Sequence, residues 1–489
     1  MNNQNELPVV PLIIRGATIK DNLIVHEGRG GGLSFRTPDA NKYLDELPLR
    51  NHGDLKDMQA LTTDEIIDFL VGFGEQLDLT KNKYLQQALE LSYETAPTTR
   101  PIVEDEYSML SAIFNRRFLE DTIERERAYF DGWVQMPRGD GRVASVKAFG
   151  ARCLHIVAGN SPLISALSLV RSALTRGDAI FKSPSNDPVT AAAIFQTLCE
   201  YAPDHPITKH CSVAYWKGGD VSFEQKFYLP ANIEKILAWG GFASVKHVTK
   251  YIQPGLELIS LDPKRSISVI GPETFEDEQK MLDAAIRVAT DFGQLNQVAC
   301  ANARKVYVMT GTDRDGVAKA NEFGKMAYDA LLTLPEHVST KPKSFDRELK
   351  SNLEALQFQD EWYNVIGGED DEGAVIVSQH PQPVEFDASL NDRVANFIPV
   401  DSLQEIADDC DAYTQTVGVY PESLKGEVRD LLPLYGAQRI VTLGFACAAD
   451  SSAGPHDGIE PLRRMAKWLV DEDCTSCAPL YNIPSFLND

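Results

Sequence analysis

The sequence has no apolar run long enough to cross a bilayer, and it has far fewer basic than acidic residues. Its most apolar stretches, residues 154–158 and 163–174, fall well short of the roughly 20 residues that a membrane span needs. The 489 residues include 71 acidic and 47 basic side chains, a formal net charge of -24. Because nucleic-acid backbones are bound mainly through Lys and Arg, this balance argues against a nucleic-acid partner. A small anionic ligand needs only a locally basic pocket, so the net charge does not exclude such a ligand.

The sequence also shows no export signal and no complete zinc motif. Residues 1–6 are polar and acidic, whereas a signal peptide is basic and then apolar. We therefore expect a cytoplasmic protein whose eight cysteines are reduced thiols rather than a disulfide framework. Cys474 and Cys477 have CxxC spacing, but no second pair or nearby His completes a metal set. Two ordinary thiols are the preferred interpretation, and no metal site is predicted.

From residue 150 onward, short apolar runs alternate with helical patterns. Strands are predicted at residues 153–158, 179–181, 212–216 and 236–239. Helices are predicted over residues 163–174, from the Asp187-Pro188 pair, and from about Ala243. Buried strands that alternate with helices indicate a parallel, doubly wound α/β sheet. Upstream, residues 64–77 and 107–130 have helical spacing.

A second α/β region begins near residue 273. Thr274 and Asp277 resemble a capping box, and a buried stripe is predicted at Leu282, Ile286, Ala289 and Phe292. Gly293 ends that helix, and a strand is predicted at residues 305–309. Cys300 therefore lies on a loop held by regular structure on both sides.

These patterns predict four segments, with no internal repeat. Residues 1–130 form a mixed and helical segment packed on the next domain, and residues 131–272 form a Rossmann-like cofactor domain. Residues 273–455 form an α/β catalytic domain that carries Cys300, and residues 456–489 form a C-terminal return segment.

Three predicted strand ends carry polar or glycine residues. Open parallel sheets bind ligands beyond the carboxyl ends of their strands. Asn160 precedes a helix N-terminus, which can hold an oxyanion with the Asn amide as an extra donor. Lys182 ends the next strand, where an ammonium can meet a ribose or phosphate. Gly240 and Gly241 precede a helix and allow a pyrophosphate close to the backbone. Each signal alone also fits a plain cap or turn; their placement in one sheet is what favours a site.

Cys300 has two interpretations from the sequence alone. Most cysteines are small buried hydrophobes, and Cys300 could be one of them. However, residues 294–300 form a polar-flanked loop outside regular structure, where functional thiols are usually placed. The loop position favours a nucleophile.

Six segments together resemble the aldehyde dehydrogenase superfamily, most closely the LuxC-type long-chain fatty acyl-CoA reductases. The resemblance runs from about residue 150 to 470. It rests on the order and spacing of these segments: residues 159–162, Gly177 with 182–185, 239–241, 296–300, and, near the C-terminus, 435–441 and 456–458.

The resemblance implies a role for each matching residue. Cys300 would be the acyl-accepting nucleophile, and Asn160 would hold the oxyanion. The residues implied to line the nicotinamide cofactor are Lys182, Trp239, Gly240, Gly241 and Ser244. His456, before Asp457, is a secondary catalytic candidate; a structural turn is the alternative. Related folds associate through a small hairpin, so a homo-oligomer is expected.

Departures from the superfamily pattern favour the reductase branch. Ala299 stands where ordinary aldehyde dehydrogenases have the catalytic Cys, and Cys300 follows, as in the reductases. Glu257 is a poor counterpart of the general base, because the expected Gly pair does not follow it. Ala395 replaces the expected ribose-binding glutamate. An enzyme that releases its acyl group by hydride needs no carboxylate to activate water.

The resemblance therefore implies reduction of a long-chain acyl-CoA or acyl-protein thioester to a fatty aldehyde. Ser185, where a carboxylate would repel a 2′-phosphate, favours NADPH, with NADH as the alternative. An acyl-transferring partner subunit is compatible with this function. Two other interpretations stay open: an aldehyde dehydrogenase in the oxidising direction, and an acyl-transfer subunit without redox chemistry.

Overall fold

A computed structural model describes residues 7–28, 32–138, 143–261, 263–448 and 453–473. The β-strands are β1 Leu12–Ile14, β2 Ala17–Ile19, β3 Leu23–His26, β4 Phe35–Pro38, β5 Val134–Pro137, β6 Val143–Gly150, β7 Arg152–Ile156, β8 Asp178–Lys182, β9 Cys211–Ala214, β10 Lys235–Trp239, β11 Glu257–Leu261, β12 Arg265–Ile270, β13 Ala303–Val308, β14 Tyr363–Gly367, β15 Ala374–Ser378, β16 Val394–Pro399, β17 Thr414–Tyr420, β18 Arg439–Thr442 and β19 Ala466–Glu472. The α-helices are α1 Lys56–Ala60, α2 Thr63–Gly74, α3 Lys83–Thr95, α4 Arg100–Ser108, α5 Arg116–Ile123, α6 Arg127–Asp131, α7 Leu163–Leu174, α8 Thr190–Tyr201, α9 Pro206–Lys209, α10 Val221–Phe227, α11 Phe242–Thr249, α12 Glu278–Gly293, α13 Arg314–Leu332, α14 Arg347–Leu356, α15 Leu403–Asp408, α16 Lys425–Leu431 and α17 Pro461–Met465.

The first large sheet has the order β11-β10-β7-β8-β9-β1-β2. Its five strands from β11 to β9 are parallel, and β1 and β2 add an antiparallel edge. Strands β7 to β10 are the four predicted from the sequence, and every residue of β8 and β9 is buried, as in a sheet covered on both faces. Because β1 pairs with β9, the N-terminal segment is part of this sheet.

Helices around this sheet follow local sequence signals. Helix α2 begins with a capping box between Thr62 and Glu65, and α7 spans the residues predicted for it. The helix predicted from Asp187 begins later, at Thr190, although the Asp187 carboxylate accepts the Thr190 N–H at 3.0 Å, as an N-cap does. The block predicted at residues 107–130 is broken into the end of α4, a 3-10 turn, α5 and α6.

The second large sheet has the order β14-β15-β16-β13-β12-β17-β18 and is parallel except for β14. Strand β12 pairs with β13 and β17, so the second sheet already begins at Arg265, before the predicted limit near residue 273. The four-segment division stays a prediction.

Helix α12, which leads to Cys300, differs from its prediction in two ways. Its N-cap is Asp277, whose carboxylate accepts the Lys280 N–H, so the predicted capping box at Thr274 is wrong. Of the predicted stripe, Ala289 and Phe292 are buried, but Leu282 and Ile286 are 43% and 48% exposed. The buried face is instead completed by small residues, Ala284 and Ala285, which let the helix lie close to the sheet.

A three-stranded antiparallel sheet, β19-β6-β5, stands apart from the two large ones. It joins the C-terminal segment to the region before the first sheet, with Ala466 opposite Gly150 and Glu472 opposite Ala144. Trp133, Met136 and Val470 on or beside its strands are about half exposed. The CxxC pair Cys474/Cys477 lies outside the described residues.

No described helix combines the length and the apolar character that crossing a membrane requires. Within the same residues, no cluster of three or more His, Cys, Asp or Glu side chains is arranged to hold a metal ion.

Candidate active site

The loop that carries Cys300 is tightly constrained. It follows α12 through the 3-10 turn Gln294–Gln297, in which three consecutive residues have left-handed backbone: φ is 54° at Leu295, 50° at Asn296 and 67° at Gln297. Such conformations cost about 1–3 kcal/mol each in non-glycine residues and persist only where the surroundings impose them. The buried Gln297 amide does so: it donates to the carbonyls of Ala303 and Val394 and accepts the Val394 N–H at 3.0 Å.

Asn302 closes the turn around the cysteine. Its side chain is fully buried; its Oδ1 accepts the Ala299 N–H at 2.9 Å, and its Nδ2 donates to the carbonyls of Asp291 and Gln294, both at 3.0 Å. The Cys300 carbonyl in turn accepts a hydrogen bond from the Ser266 hydroxyl at 2.8 Å. The backbone of Cys300 is thus fixed from both sides.

Cys300 is a partly exposed residue, and its thiol contacts an amide. Gln415 Nε2 lies 3.2 Å from Cys300 Sγ and 2.5 Å from Asp457 Oδ1. Burial, and then the Asp457 carboxylate, raise the pKa of the Cys300 thiol, while Gln415 and the Arg304 guanidinium oppose that rise. The thiol is therefore protonated at neutral pH in the free protein, and attack requires loss of that proton.

Asn160 meets this loop from the first sheet. It follows β7, and its Nδ2 donates to the carbonyl of Val298 at 3.3 Å, two residues before Cys300. The Asn160 amide, which the sequence predicts to hold an oxyanion, therefore lies beside the loop that carries Cys300. The structure therefore brings together Asn160 and Cys300, which are 140 positions apart in the chain.

The carboxyl ends of three strands lie side by side next to Asn160. Ile156 of β7 is paired with Lys182 of β8 on one side and with Ala238 of β10 on the other. The Lys182 side chain is only 8% exposed and lies over the rings of Tyr215 and Trp216, at 5.8 and 5.5 Å. Burial lowers the pKa of Lys182 to about 8, against the opposing effect of Glu224. Among the described residues, no carboxylate forms an ion pair with it.

Several features of this edge fit a nicotinamide dinucleotide. The hydroxyl of Ser183 and the indole N–H of Trp239 are buried without a hydrogen-bond partner. Gly241 and Ser244 are exposed at the N-terminus of α11, and a Cβ at Gly241 would meet nothing within 4 Å. A helix N-terminus with open backbone suits a phosphate, and a buried ammonium suits a second anion or ribose hydroxyls. Ser185 lies in the partly exposed loop after β8.

His456 lies between the two sheets but is poorly suited to carry a proton. Its ring is 5.1 Å from the Trp239 ring, and its backbone pairs with Ile459 at 2.8 and 3.0 Å. Burial, and then the charges of Arg171 and Arg439, lower the pKa of His456 to about 3, so the ring is neutral at physiological pH. Its catalytic role stays a prediction, and its described contacts are those of a structural turn.

Glu257 is in an ion-pair cluster at the opposite end of the first sheet. It begins β11, level with Lys235, whereas Leu261 is level with Trp239 at the carboxyl end. Its carboxylate is 2.7 Å from Lys235 Nζ and 2.6 Å from Arg464, and these cations outweigh burial and lower the pKa of Glu257. Glu257, the poor counterpart of a water-activating glutamate, is therefore engaged in structural ion pairs. Ala395, at the position where the resemblance leads one to expect a ribose-binding glutamate, is buried in β16.

Three site residues have no clear signal in the sequence. Gln415 is the second residue of β17, whose other residues are small, β-branched or aromatic, and Arg171 and Arg304 follow ordinary helix and strand patterns. Arg171 is 1% exposed and lies 5.3 Å from the Trp239 ring. The one sequence signal for such positions is a polar residue inside an apolar run, and that signal does not show which residue the polar side chain contacts.

Glu106 is a buried carboxyl beside the Asn160 turn. It lies on α4, is 4% exposed, and borders the same small cavity as Asn160, Ser161 and Asp187. One of its carboxyl oxygens, Oε1, has no hydrogen-bond partner. Burial raises the pKa of Glu106 to about 8; Ser161 opposes the rise, and Asp105 and Asp187 add to it. The group is therefore a neutral acid at pH 7.

We expect Glu106→Gln to remove a pH-dependent loss of stability. Because the folded-state pKa lies above the ordinary value of 4.5, the folded protein binds more protons than the unfolded chain between about pH 4.5 and 8. Stability therefore falls as pH rises through this window, by roughly 2–4 kcal/mol. Urea unfolding at pH 5 and 8 measures it: Glu106→Gln should lose less stability than the wild type. The exposed Glu336→Gln is the matched control, and a parallel pH response of Glu106→Gln and wild type would contradict the assignment.

Solved structures with a similar fold are aldehyde dehydrogenases. The NADP-dependent glyceraldehyde-3-phosphate dehydrogenase of Bacillus halodurans C-125, solved with NADP, superposes with a TM-score of 0.71 at 13% identity, over 95% of this chain and 98% of that one. The lactaldehyde dehydrogenase of Escherichia coli gives 0.67 at 15% identity, over 95% and 99%. The two α/β sheets and the small third sheet are thus those of the aldehyde dehydrogenase fold.

Sequence comparison gives the family within that fold. The family model of the acyl-CoA reductases (LuxC) matches residues 58–468. The long-chain acyl-protein thioester reductase of Photobacterium phosphoreum is 27% identical over 486 residues, covering 95% of this chain and 91% of that protein. The enzyme of that name from Aliivibrio fischeri is 30% identical over 346 residues, covering 70% and 67%. The chain belongs to the acyl-CoA reductase (LuxC) family, and the resemblance seen in its motifs is confirmed.

Proposed function

We propose that this enzyme reduces a long-chain fatty acyl thioester to the aldehyde through an acyl group carried on Cys300. The observation that carries the proposal is the contact between the Asn160 amide and the backbone of the Cys300 loop. It brings a neutral hydrogen-bond donor and the thiol of a partly exposed residue to one place, between two sheets. Acyl transfer needs a nucleophile and a donor for the developing oxyanion within reach of one carbonyl.

The chain's own residues account for the acyl-transfer steps. Cys300 loses its proton, its sulfur bonds to the acyl carbon, and the bond to the carrier sulfur breaks. The electron pair of that bond goes to the carrier sulfur, which takes up a proton. Asn160 donates to the acyl oxygen while it bears negative charge. In the second half, once a hydride has bonded to the acyl carbon and the acyl oxygen bears the negative charge, the carbonyl re-forms, the Cys300–carbon bond breaks, its electron pair returns to the sulfur, and the aldehyde leaves.

The carboxyl edge of the first sheet would hold the cofactor. A reduced nicotinamide, when bound, supplies the hydride that converts the acyl group to the aldehyde. Gly240, Gly241 and Ser244 would receive its phosphates at the N-terminus of α11. Lys182 and Ser185 would meet the adenosine ribose, and since Ser185 brings no negative charge, we infer a preference for NADPH over NADH.

We expect Lys182→Met to raise the KM for NADPH about tenfold or more and the KM for NADH less than about threefold. A 2′-phosphate pairs with the ammonium, whereas a ribose hydroxyl gains much less from its charge. Since the pKa of Lys182 in the free protein is about 8, the KM for NADPH should also rise above that pH in the wild type. Steady-state kinetics with both cofactors measure this, with the exposed Lys319→Ala as control. Equal losses with both cofactors would contradict the phosphate contact.

Two other functions predict different results. An oxidising aldehyde dehydrogenase needs a carboxylate that activates water, and Glu257 is held in ion pairs with Lys235 and Arg464 instead. A non-redox acyl-transfer subunit would acylate Cys300 with turnover that is indifferent to nicotinamide. Neither is favoured by an observation at the site.

The acyl donor is inferred as a class, namely a fatty acyl group on CoA or on a protein thiol. An acyl-transferring partner subunit would supply the second form.

We also infer a homo-oligomer. The exposed Trp133, Met136 and Val470 near the small sheet support it, because water-facing apolar residues on one sheet favour contact with another copy. Sedimentation velocity of the full chain measures it.

The deciding experiment mixes the purified protein with a long-chain acyl-CoA and NADPH and follows cofactor absorbance and aldehyde together. One aldehyde formed for each NADPH consumed is the expected result. Acylation of Cys300 without NADPH consumption would instead identify a transfer subunit. Reduction of NADP+ on addition of aldehyde, with release of fatty acid, would identify the oxidising enzyme.

A further inference from the structure

One side chain from strand β17 contacts the sulfur of Cys300, which lies on the loop before β13. Gln415, at the start of β17, is 5% exposed and places Nε2 at 3.2 Å from the sulfur. An amide N–H stabilises a thiolate more than a thiol, because only the thiolate is a strong acceptor. The other end of an amide, its carbonyl, would do the reverse. The orientation of the Gln415 amide therefore matters to the reactivity of Cys300.

Asp457 selects that orientation. Its carboxylate oxygen lies 2.5 Å from the same Nε2, so the two N–H groups of one amide nitrogen have two acceptors, the sulfur and the carboxylate. A flipped amide would set its carbonyl against the carboxylate. Asp457 itself has a left-handed backbone, with φ 50°, and its side chain is 3% exposed. A strained, buried residue at this place is held there by its surroundings.

Charged and titratable groups face the thiol from several elements. Asp457, before α17, disfavours the thiolate, and Arg304 of β13 favours it. Cys447, after β18, accepts a hydrogen bond from Asn302 at 3.4 Å and also interacts with the Cys300 thiol. Behind Asp457 lies the buried Arg171 of α7, and Arg439 of β18 lies near His456. Of the side chains described around the sulfur, Gln415 alone is neutral and within hydrogen-bond distance; the backbone of Cys300 itself is the other neutral donor.

We propose that Gln415 is a catalytic residue that directs an amide N–H at the Cys300 sulfur, and that Asp457 is a positioning residue that sets the direction of this amide. The inference rests on the proposed role of Cys300 as the acyl-accepting nucleophile. It assigns to Gln415 the stabilisation of the thiolate that attacks the thioester. It assigns to Asp457 an indirect effect that depends on Gln415 being present.

The test is the pH dependence of Cys300 alkylation by iodoacetamide, followed by peptide mass spectrometry on the full-length protein. We expect Gln415→Met, which keeps the length and removes the donor, to move the midpoint upward by about one pH unit. The alkylation rate at pH 7 then falls about tenfold, and so does the rate of acylation by acyl-CoA; the alkylation rate recovers only as the pH passes the higher midpoint of the variant. Gln415→Ala serves as a second variant should the Met variant fail to fold. The exposed Gln404→Met is the matched control.

Asp457→Gly, which tolerates the left-handed backbone, tests the positioning role in a double-mutant cycle. In the Gln415→Met background, Asp457→Gly removes only a negative charge near the Cys300 thiolate, so the midpoint of the alkylation pH profile should fall. With Gln415 present the amide also loses its orientation, so the shift should differ by about half a pH unit or more. Equal shifts in both backgrounds would overturn the positioning role, and an unchanged midpoint in Gln415→Met and Gln415→Ala would overturn the role of Gln415.

Failure of this inference is distinguishable from failure of the proposed function. If Cys300 is acylated and turnover depends on it, but the Gln415 variants alkylate as the wild type does, only the inference is wrong. If no acyl group forms on Cys300 in the wild type, the proposed function is wrong whatever the alkylation profile.

Discussion

Cys300→Ala should lower aldehyde formation from acyl-CoA and NADPH by roughly 10⁴-fold or more, which leaves only background turnover. No other described thiol contacts both Gln415 and the loop met by Asn160, so none replaces the sulfur that carries the acyl group. The variant should fold normally, because the loop is held by Gln297, Asn302 and Ser266 rather than by the thiol.

Mass spectrometry and kinetics together check this result. Wild-type protein incubated with acyl-CoA and no cofactor should gain one acyl group on the peptide that contains Cys300, and Cys300→Ala should gain none there. Cys410→Ala removes a thiol beneath the second sheet and is the control for cysteine replacement. Reductase activity of Cys300→Ala within tenfold of the wild type would refute a covalent pathway through this residue.

Asn160→Ala should lower the rate of acyl transfer to Cys300 by about 10²–10³-fold, the usual effect of removing one oxyanion donor. The loss should be in kcat rather than in KM, because the amide contacts the acyl oxygen most strongly when that oxygen is charged. Rapid-mixing measurements of acyl-enzyme formation give the rate directly. Asn321→Ala, in a polar network on α13, is the control for loss of an amide.

A second measurement separates the oxyanion role of Asn160 from a structural one. Alkylation of Cys300 by iodoacetamide forms no oxyanion, so its rate should stay within about threefold of the wild type in Asn160→Ala. If alkylation falls as much as acylation does, Asn160 acts by holding Val298 and the thiol loop instead.

The sequence predicted the parts of the fold that local patterns determine. Strands β7 to β10 and helix α7 are recognisable because short apolar runs alternate with residues at helical spacing. The exposed face of α12 could not be predicted in this way. Leu282 and Ile286 have helical spacing, and only the packing against the neighbouring sheet shows which face of the helix is buried. Strand β12 was missed because its membership of the second sheet depends on partners far along the chain.

The candidate site divides in the same way. Asn160, Lys182 and Cys300 stand at strand ends or on a loop, where position alone suggests chemistry. Gln415 does not, because its importance comes from a 3.2 Å contact between residues 115 positions apart. The shift of the Glu106 pKa is likewise a property of tertiary burial, which no local pattern shows.

Asp457 follows the other residues of the site along the chain, and this order has a consequence for biosynthesis. Asn160, Cys300 and Gln415 leave the ribosome earlier, and β19, which pairs with β6, comes later still. During translation the reactive sulfur therefore exists before the carboxylate that orients its neighbour. A nascent chain halted before residue 457 should carry a cysteine of different reactivity from that of the finished enzyme.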